Sequence, residues 1–296
     1  MRRNRMGILI TIVAAILWGF SGTCAQYIFE RFPIAPSHLT SIRMLSAGTI
    51  LVITGFIKNK ANMLAPWKSK EDSCMLIIFA IFGILFSQLT YLQAISYTNS
   101  GTATILQYIG PVLVMVTSCI LSRRLPSLKE AIAIILAMTG TFFIATHGDL
   151  STMVINTPGL IWGILAAIAL ALYSLIPGKI AGKYGSISIT GYGIIIGGIA
   201  LAVSSRLWQL NLDVDFRFFL AFSGIVIFGT VLSYSMYLKG LTMIGPVRSS
   251  MIASIEPVAA AVFMVVWLSA PFHYMDAVGF GCILATVFLL AKPATN

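Results

Sequence analysis

The feature that most limits the fold of this 296-residue chain is an internal repeat. Residues 91–144 align without a gap with residues 237–290, at a constant offset of 146 positions (237 − 91). Identities are few, so the constant offset and the matching apolar runs carry the comparison. A duplicated apolar chain of this kind indicates a membrane protein built from two repeats. The identical pairs include Tyr91-Leu92 with Tyr237-Leu238 and Pro111-Val112 with Pro257-Val258.

The composition excludes a water-soluble fold. Hydrophobic residues make up 58% of the chain and charged residues 9%, and the mean hydropathy is +0.94. Soluble domains carry about 25% charged residues, so a soluble fold has no way to hide this much apolar surface. Ten apolar runs of spanning length predict an all-α polytopic membrane protein. We expect these helices at residues 7–26, 37–57, 73–95, 98–121, 128–146, 158–180, 187–205, 216–238, 245–268 and 274–290.

The net charge of +10 is explained by membrane orientation and not by nucleic-acid binding, because the basic residues lie in loops between the spans. With the N-terminus inside, fifteen lysines and arginines fall in inner segments and three in outer segments, which predicts cytoplasmic termini. An odd number of spans then separates the repeats, so their topologies are inverted. The inner residues are Arg2, Arg3, Arg5, Lys58, Lys60, Lys68, Lys70, Arg123, Arg124, Lys129, Lys179, Lys183, Lys239, Arg248 and Lys292, and the outer ones are Arg31, Arg206 and Arg217.

Glu256 is the acidic residue that falls near the middle of an expected span, the ninth. A charged carboxylate at the bilayer centre costs several kcal/mol, so this side chain is expected to face protein or water, or to be protonated. Its functional interpretation is a proton-coupling group or a counter-charge for a cationic substrate. The alternative is a permanently neutral acid that hydrogen-bonds to a neighbouring helix.

Pro111 and Pro257 occupy matching positions in the fourth and ninth expected spans. A proline inside a helix removes the hydrogen bond to the carbonyl four residues earlier, here Gln107 and Ala253. Two broken helices at equivalent positions point to a transporter's binding site. The alternative is a simple packing kink.

Several polar and aromatic residues are candidates for lining a cavity. Ser100, Thr104 and Gln107 form a polar stripe on the fourth span, which is expected to face a cavity or to supply interhelical hydrogen bonds. Aromatic side chains offer an apolar wall, and tyrosine adds a hydroxyl, although each alone is commonly a packing residue. The other candidates are Gln88 and Tyr91 on the third span, Trp18 on the first, Tyr173 on the sixth and Tyr234 on the eighth.

Arg43 lies inside the second span, where snorkelling to the outer surface is favoured over a fixed charge that pairs with a carboxylate or an anionic substrate. The three histidines, His38, His147 and His273, all map near the outer surface. They are interpreted as scattered surface residues in preference to a pH sensor.

The chain resembles the drug/metabolite transporter superfamily, and specifically its EamA-like ten-span members. The resemblance covers almost the whole chain, and its duplication makes it specific. It implies two EamA-like five-helix repeats, at residues 1–146 and 158–296, joined by a linker at residues 147–157. The motifs are AILWG at 15–19, IR at 42–43, YLQA at 91–94, ATILQYIGP at 103–111, YLKG at 237–240 and IEPV at 255–258.

The resemblance further implies a cavity between the halves, lined by spans one, three, four, six, eight and nine, with Trp18, Tyr91, Gln107 and Glu256 at family positions. It implies a cell-membrane transporter of small organic metabolites such as amino acids or amines, with efflux as the expected direction. Proton coupling through Glu256 is the accompanying hypothesis, and no cofactor or metal is expected. The alternatives are a receptor or scaffold that does not transport, and an intramembrane enzyme. The enzyme is disfavoured because the sequence has no His-Glu-x-x-His or Gly-x-Ser-x-Gly segment.

Overall fold

A computed structural model describes residues 2–98, 100–153 and 156–291, and the structure in these ranges is helical and without strands. Two π-helical segments, Phe79–Leu85 and Gly224–Leu232, and three short 3₁₀ turns, Ala65–Lys68, Leu150–Thr152 and Leu207–Gln209, connect or interrupt the α-helices. The α-helices are α1 (Arg2–Arg31), α2 (Pro36–Leu64), α3 (Lys70–Ile78), α4 (Phe86–Tyr97), α5 (Ser100–Gln107), α6 (Gly110–Leu121), α7 (Leu128–Thr146), α8 (Thr157–Leu175), α9 (Gly178–Tyr184), α10 (Ser186–Ser204), α11 (Phe216–Ser223), α12 (Ser233–Ile244), α13 (Pro246–Ile252), α14 (Ile255–Leu268) and α15 (Tyr274–Ala291).

Nine helical rods in the described ranges are long and apolar enough to cross a membrane, and a tenth apolar helix, Tyr274–Leu290, is shorter. The first two rods run well past the apolar runs that predicted them. The first rod ends at Arg31, just before Pro33, and the second is kinked at Asn59, where the backbone is not helical, before it continues to Leu64. Hydropathy marks where side chains stop being apolar, whereas a helix ends where a proline or a cap interrupts its hydrogen bonds.

Interruptions fall at matching places in the two halves. The π-helical segments Phe79–Leu85 and Gly224–Leu232 are related by the repeat offset and lie in the third and eighth rods. The fourth rod breaks between α5 and α6, and the ninth breaks between α13 and α14. The sixth rod also breaks, at Pro177 between α8 and α9. The expected sixth span, residues 158–180, lies within the rod Thr157–Tyr184, and the proline followed by glycine interrupts the backbone ladder of that rod.

The packing of the helices is approximately two-fold symmetric. α2 packs on α10, and α7 packs on α15, so each of these helices meets its own repeat mate. α1 packs on α12 and α14, and correspondingly α8 packs on α4 and α6. Exchanging the two halves therefore returns the same set of helix pairs, which places the centre of the bundle between α1, α4, α8 and α12.

Glycines allow the closest of these contacts. A Cβ atom at Gly48 of α2 would lie 2.7 Å from the backbone nitrogen of Ile195 in α10. A Cβ atom at Gly19 of α1 would lie 2.6 Å from the Ala260 nitrogen and 2.8 Å from the Glu256 carbonyl oxygen in α14. Small residues are the usual means by which membrane helices approach backbone to backbone. The Gly19 contact is the one that fixes α1 against the start of α14.

We expect Gly19→Ala to destabilise the protein by about 1–3 kcal/mol, the range for overpacking a close contact. Gly22→Ala is the matched control, because Gly22 lies one turn further along α1 and a Cβ atom there meets nothing within 4 Å. The measurement is thermal unfolding of the two purified variants in the same detergent. Equal melting temperatures for the two variants would contradict the close α1–α14 contact.

Candidate functional site

Four aromatic side chains meet where α1, α8 and α12 face one another, and we call Trp18, Tyr173, Tyr234 and Tyr237 the aromatic box. The Trp18 ring lies 5.2 Å from Tyr234 and 5.1 Å from Tyr237, measured between centroids. Tyr173 stacks on Tyr237 at 5.5 Å and meets Tyr234 at 5.7 Å. The three tyrosines are buried and Trp18 is half-buried. Such a group of π faces can hold an apolar, aromatic or cationic part of a small molecule.

Polar side chains extend from the aromatic box towards α2. The Gln88 amide on α4 donates to the Tyr234 hydroxyl, and the Gln88 carbonyl oxygen accepts from the Arg43 guanidinium on α2. Gln88 and Tyr234 are repeat mates, 146 positions apart. A residue can touch its own mate only close to the axis that relates the two halves. This hydrogen bond therefore lies at the centre of the two-fold packing.

Arg43 points inward. Its guanidinium bonds to Gln88 and is close enough to Tyr234 to interact with it electrostatically, while its buried Nε has no partner among the described residues. The favoured sequence interpretation, snorkelling to the outer surface, was therefore wrong. Intramembrane arginines that face a protein interior pair with polar groups and mark functional sites. Gln88 and Tyr234 supply the polar contacts that make the inward rotamer favourable.

Glu256 lies at the break in the ninth rod. It is in the first turn of α14, directly after the interruption at Ala253 and Ser254, and it is half-buried. A carboxylate at this position is stabilised by the N-terminal end of the helix dipole. The carboxylate is close enough to the Tyr108 and Tyr234 hydroxyls to interact with them electrostatically.

The two helix breaks contact each other. Pro257 lacks the N–H that would otherwise bond to the Ala253 carbonyl, and that oxygen accepts instead from the Tyr108 hydroxyl at 3.2 Å and from the Glu256 N–H at 2.9 Å. Tyr108 belongs to the break in the fourth rod, immediately before α6 and Pro111. The Tyr108 hydroxyl thus links the first-half break to the second-half break beside Glu256.

The remaining predicted residues lie on the third and fourth rods. Tyr91 and Thr104 meet through their hydroxyls at 2.9 Å, so their side chains tie α4 to α5. Gln107 is the last residue of α5 and is half-buried beside the break. Ser100, the first member of the predicted stripe, begins α5, and its side chain lies outside the described part of the structure.

Two buried polar atoms in the aromatic box have no hydrogen-bond partner within the described ranges. They are the Trp18 indole nitrogen and the Tyr173 hydroxyl oxygen. Buried polar groups are nearly always hydrogen-bonded, so each donor indicates a place for a polar atom of a bound molecule or of water.

A cavity of about 700 Å³ lies towards one end of the bundle and does not include the predicted site residues. Its walls come from both halves, namely the end of α2, the α9–α10 turn and α12, and they carry Arg3, Lys58 and Lys239. Ser235 and Met236 of α12 line it, and they follow Tyr234 directly. The cavity thus borders α12, the helix that also carries Tyr234 and Tyr237.

Sequence reasoning missed Tyr237, Tyr108 and Ser174 as parts of this region. The Tyr237 hydroxyl lies 3.0 Å from the Ser174 hydroxyl, which fixes the ring in the aromatic box. Tyr237 was recognisable in principle, because it is the repeat mate of Tyr91, which was predicted. Tyr108 gave no such signal, since its mate is Ser254.

A two-fold bundle of apolar helices with a polar, aromatic centre and paired helix breaks defines the class as a multi-pass membrane transporter. Comparison with known proteins gives the particular family. The model of the EamA-like transporter family matches residues 5–146 and again residues 157–292, and the chain belongs to this family. It is thus a transporter of the cell membrane that acts on a small-molecule substrate.

Similar proteins extend over the full length. The chain is 34% identical to the uncharacterized inner membrane transporter YicL of Salmonella typhimurium, over 98% of this chain and 97% of that one. It is 24% identical to the uncharacterized transporter YetK of Bacillus subtilis, over 97% of this chain and 87% of the relative. A solved crystal structure superposes with a TM-score of 0.81 over 96% of this chain and 95% of the other, at 15% identity, which is a likeness of fold.

Proposed function

We propose that this chain is a secondary transporter that carries small organic solutes bearing an amino group, such as amino acids or amines, out of the cell. The observation that carries the proposal is the contact between the repeat mates Gln88 and Tyr234 at the centre of the bundle, with Arg43 beside it. A central site shared by two matched halves is the arrangement from which alternating access arises.

The chemistry of the site supports the substrate class. Arg43 and Glu256 both act electrostatically on Tyr234, so a positive and a negative group flank the aromatic box. Arg43 is suited to a carboxylate and Glu256 to an ammonium group. The aromatic faces suit the solute's apolar part or its cation. Trp18, Tyr173, Gln88, Tyr91, Thr104 and Gln107 complete the proposed substrate-binding set.

We also propose ten spans, arranged as inverted five-helix repeats at residues 1–146 and 158–296, with both termini in the cytoplasm. The short apolar helix Tyr274–Leu290 would be the tenth span. The distribution of lysine and arginine supports the orientation, and the exchangeable helix pairs support the two repeats.

This topology predicts which loops reach the outside. A cysteine placed at Ser151, in the linker between α7 and α8, is expected to react with a membrane-impermeant maleimide in intact cells. A cysteine at Ser122, at the end of α6, is expected to react only after permeabilisation. Both variants are made in a background without the four native cysteines, since Cys74 is exposed. The reverse labelling pattern would contradict cytoplasmic termini.

The direction of transport and its coupling to protons are proposed from two features, the cavity near Lys58 and Lys239 and the carboxylate of Glu256. The cavity of about 700 Å³ carries Lys58 and Lys239, which the charge rule places at the cytoplasmic side, so a solute can load from the cell interior. Glu256 would take a proton from outside as the solute leaves, and it would release that proton inside before the next solute binds. A half-buried carboxylate inside the bundle, whose surroundings change with access, is suited to this exchange.

The test of this function is flux through purified protein in liposomes. A panel of amino acids is used, each paired with the amine that lacks its carboxylate and with the carboxylic acid that lacks its amino group, with and without an imposed pH gradient. The proposal predicts that solute moves across the membrane in the direction opposite to the flow of protons. Flux that is the same with and without the pH gradient would contradict proton coupling. Flux confined to solutes without an amino group would contradict the proposed substrate class.

A further inference from the structure

Two of the three histidines meet an aspartate at the far edge of the bundle, away from the aromatic box. His147 follows the last residue of α7, His273 precedes α15, and Asp276 lies in the first turn of α15. One ligand atom from each residue lies within 4.8 Å of the other two. The interpretation of these histidines as scattered surface residues therefore fails for His147 and His273.

The cluster has a defined internal geometry. The His147 Nδ1 lies 2.7 Å from the Asp276 Oδ1. The other carboxylate oxygen, Oδ2, accepts the His273 backbone N–H at 2.8 Å and lies 3.9 Å from the His273 Nδ1. The two imidazole rings face each other with centroids 4.5 Å apart. The His273 backbone N–H thus holds the carboxylate in place, and the imidazoles of both histidines lie beside it.

Helix capping explains only part of this arrangement. In the first half, Ser127 and Glu130 form a capping box at the start of α7, and their repeat mates are His273 and Asp276. The acid therefore has a capping role in both halves. Capping needs neither the imidazole at 273 nor the second imidazole that His147 brings from the end of α7.

Burial and access are also suited to an ion. The Asp276 side chain is 3% exposed, whereas the His147 and His273 side chains are 41% and 49% exposed. The buried carboxylate supplies a fixed negative ligand, and the two exposed imidazoles leave the site open to an ion from solvent. Two histidines and one carboxylate are a frequent ligand set for zinc, with a fourth position left for water.

We propose that His147, His273 and Asp276 bind one divalent transition-metal ion of the zinc class. The ion takes the place of the proton between the His147 Nδ1 and the Asp276 Oδ1, which is released to solvent, and the separation of these atoms widens from 2.7 Å to about 3.3 Å for tetrahedral bonds of about 2.0 Å. Because His147 belongs to the first half and the other two ligands to the second, the ion ties the end of α7 to the start of α15.

The test is zinc binding to the full-length, tag-free protein in detergent, with its four cysteines replaced by serine. Calorimetry and thermal unfolding are measured with Zn²⁺, and Mg²⁺ serves as the control ion. We expect about one Zn²⁺ per chain, a higher melting temperature with Zn²⁺, and no effect of Mg²⁺, which disfavours imidazole ligands. His147→Gln and His273→Gln are each expected to weaken zinc binding at least about tenfold.

His38→Gln is the matched control, because His38 contacts the Ser205 carbonyl at 2.9 Å and takes no part in the cluster. It is expected to bind Zn²⁺ like the parent protein. Co²⁺ added to the parent protein gives a second readout, with the visible absorption of a tetrahedral nitrogen and oxygen site. An absence of Zn²⁺ binding, or equal binding in all three histidine variants, would overturn the proposal.

Discussion

Glu256→Gln is expected to abolish transport driven by a pH gradient, while solute exchange continues at a reduced rate because the carboxylate that faces the ammonium group is lost. Glutamine keeps the size and hydrogen-bonding capacity of the side chain at the start of α14 but has no proton to exchange. If Glu256 carries the coupling proton, the variant can still alternate when solute is bound on both sides, and it can no longer use the proton gradient. The effect should be a fall of gradient-driven flux to the level of empty liposomes.

The measurement compares gradient-driven flux and exchange in the same proteoliposome preparation. Glu30→Gln is the matched control, since Glu30 is an exposed acid near the end of α1 that bonds to Gln26 at 2.7 Å. That variant is expected to behave like the parent protein in both assays. Unchanged gradient-driven flux in Glu256→Gln would mean that Glu256 is a structural acid and that coupling, if present, lies elsewhere.

Arg43→Met is expected to impair the transport of solutes that carry a carboxylate more than the transport of solutes that lack one. Methionine retains much of the apolar stem but removes the guanidinium that bonds to Gln88. Losing a hydrogen bond to a charged group costs about 1.5–3 kcal/mol, which corresponds to about a 10- to 100-fold loss. We expect a loss of this size in kcat/KM for each amino acid, and a much smaller loss for the amine that lacks its carboxylate.

The paired solutes make this result specific. A general packing defect would lower transport of amino acids and amines alike, so only a difference between them assigns the carboxylate to Arg43. Arg217→Met is the control variant, because Arg217 is exposed at the start of α11. Equal losses for both members of every pair would contradict the proposed role of Arg43 as the carboxylate partner.

Much of the fold could be predicted from the sequence, because each membrane helix corresponds to a long apolar run. Apolar runs located the third and eighth rods, and Pro111 and Pro257 marked the breaks in the fourth and ninth rods. The break at Pro177 was readable in the same way but was passed over, because it lies near the end of an otherwise apolar run. The π-helical segments had no sequence signal, since a π turn depends on packing and not on residue type.

The site was only partly readable because side-chain direction is a tertiary property. Gln88 and Tyr234 were each predicted to line a cavity, and the offset made them mates, yet their direct contact depends on where the two-fold axis passes. Arg43 was misjudged because the apolar run around it does not reveal whether the guanidinium faces lipid or the bundle. His147 and His273 lie 126 positions apart (273 − 147) and meet only because α7 packs on α15.

The most direct test of the central claim, that a solute crosses the membrane through this protein, is counterflow in proteoliposomes. Vesicles loaded with an unlabelled amino acid are diluted into a trace of the same labelled compound, with no pH gradient and with protein-free vesicles as the baseline. Alternating access predicts transient accumulation of label inside the vesicles for at least one member of the panel. Binding of the labelled solute to the purified protein without any such accumulation would contradict transport and favour a receptor.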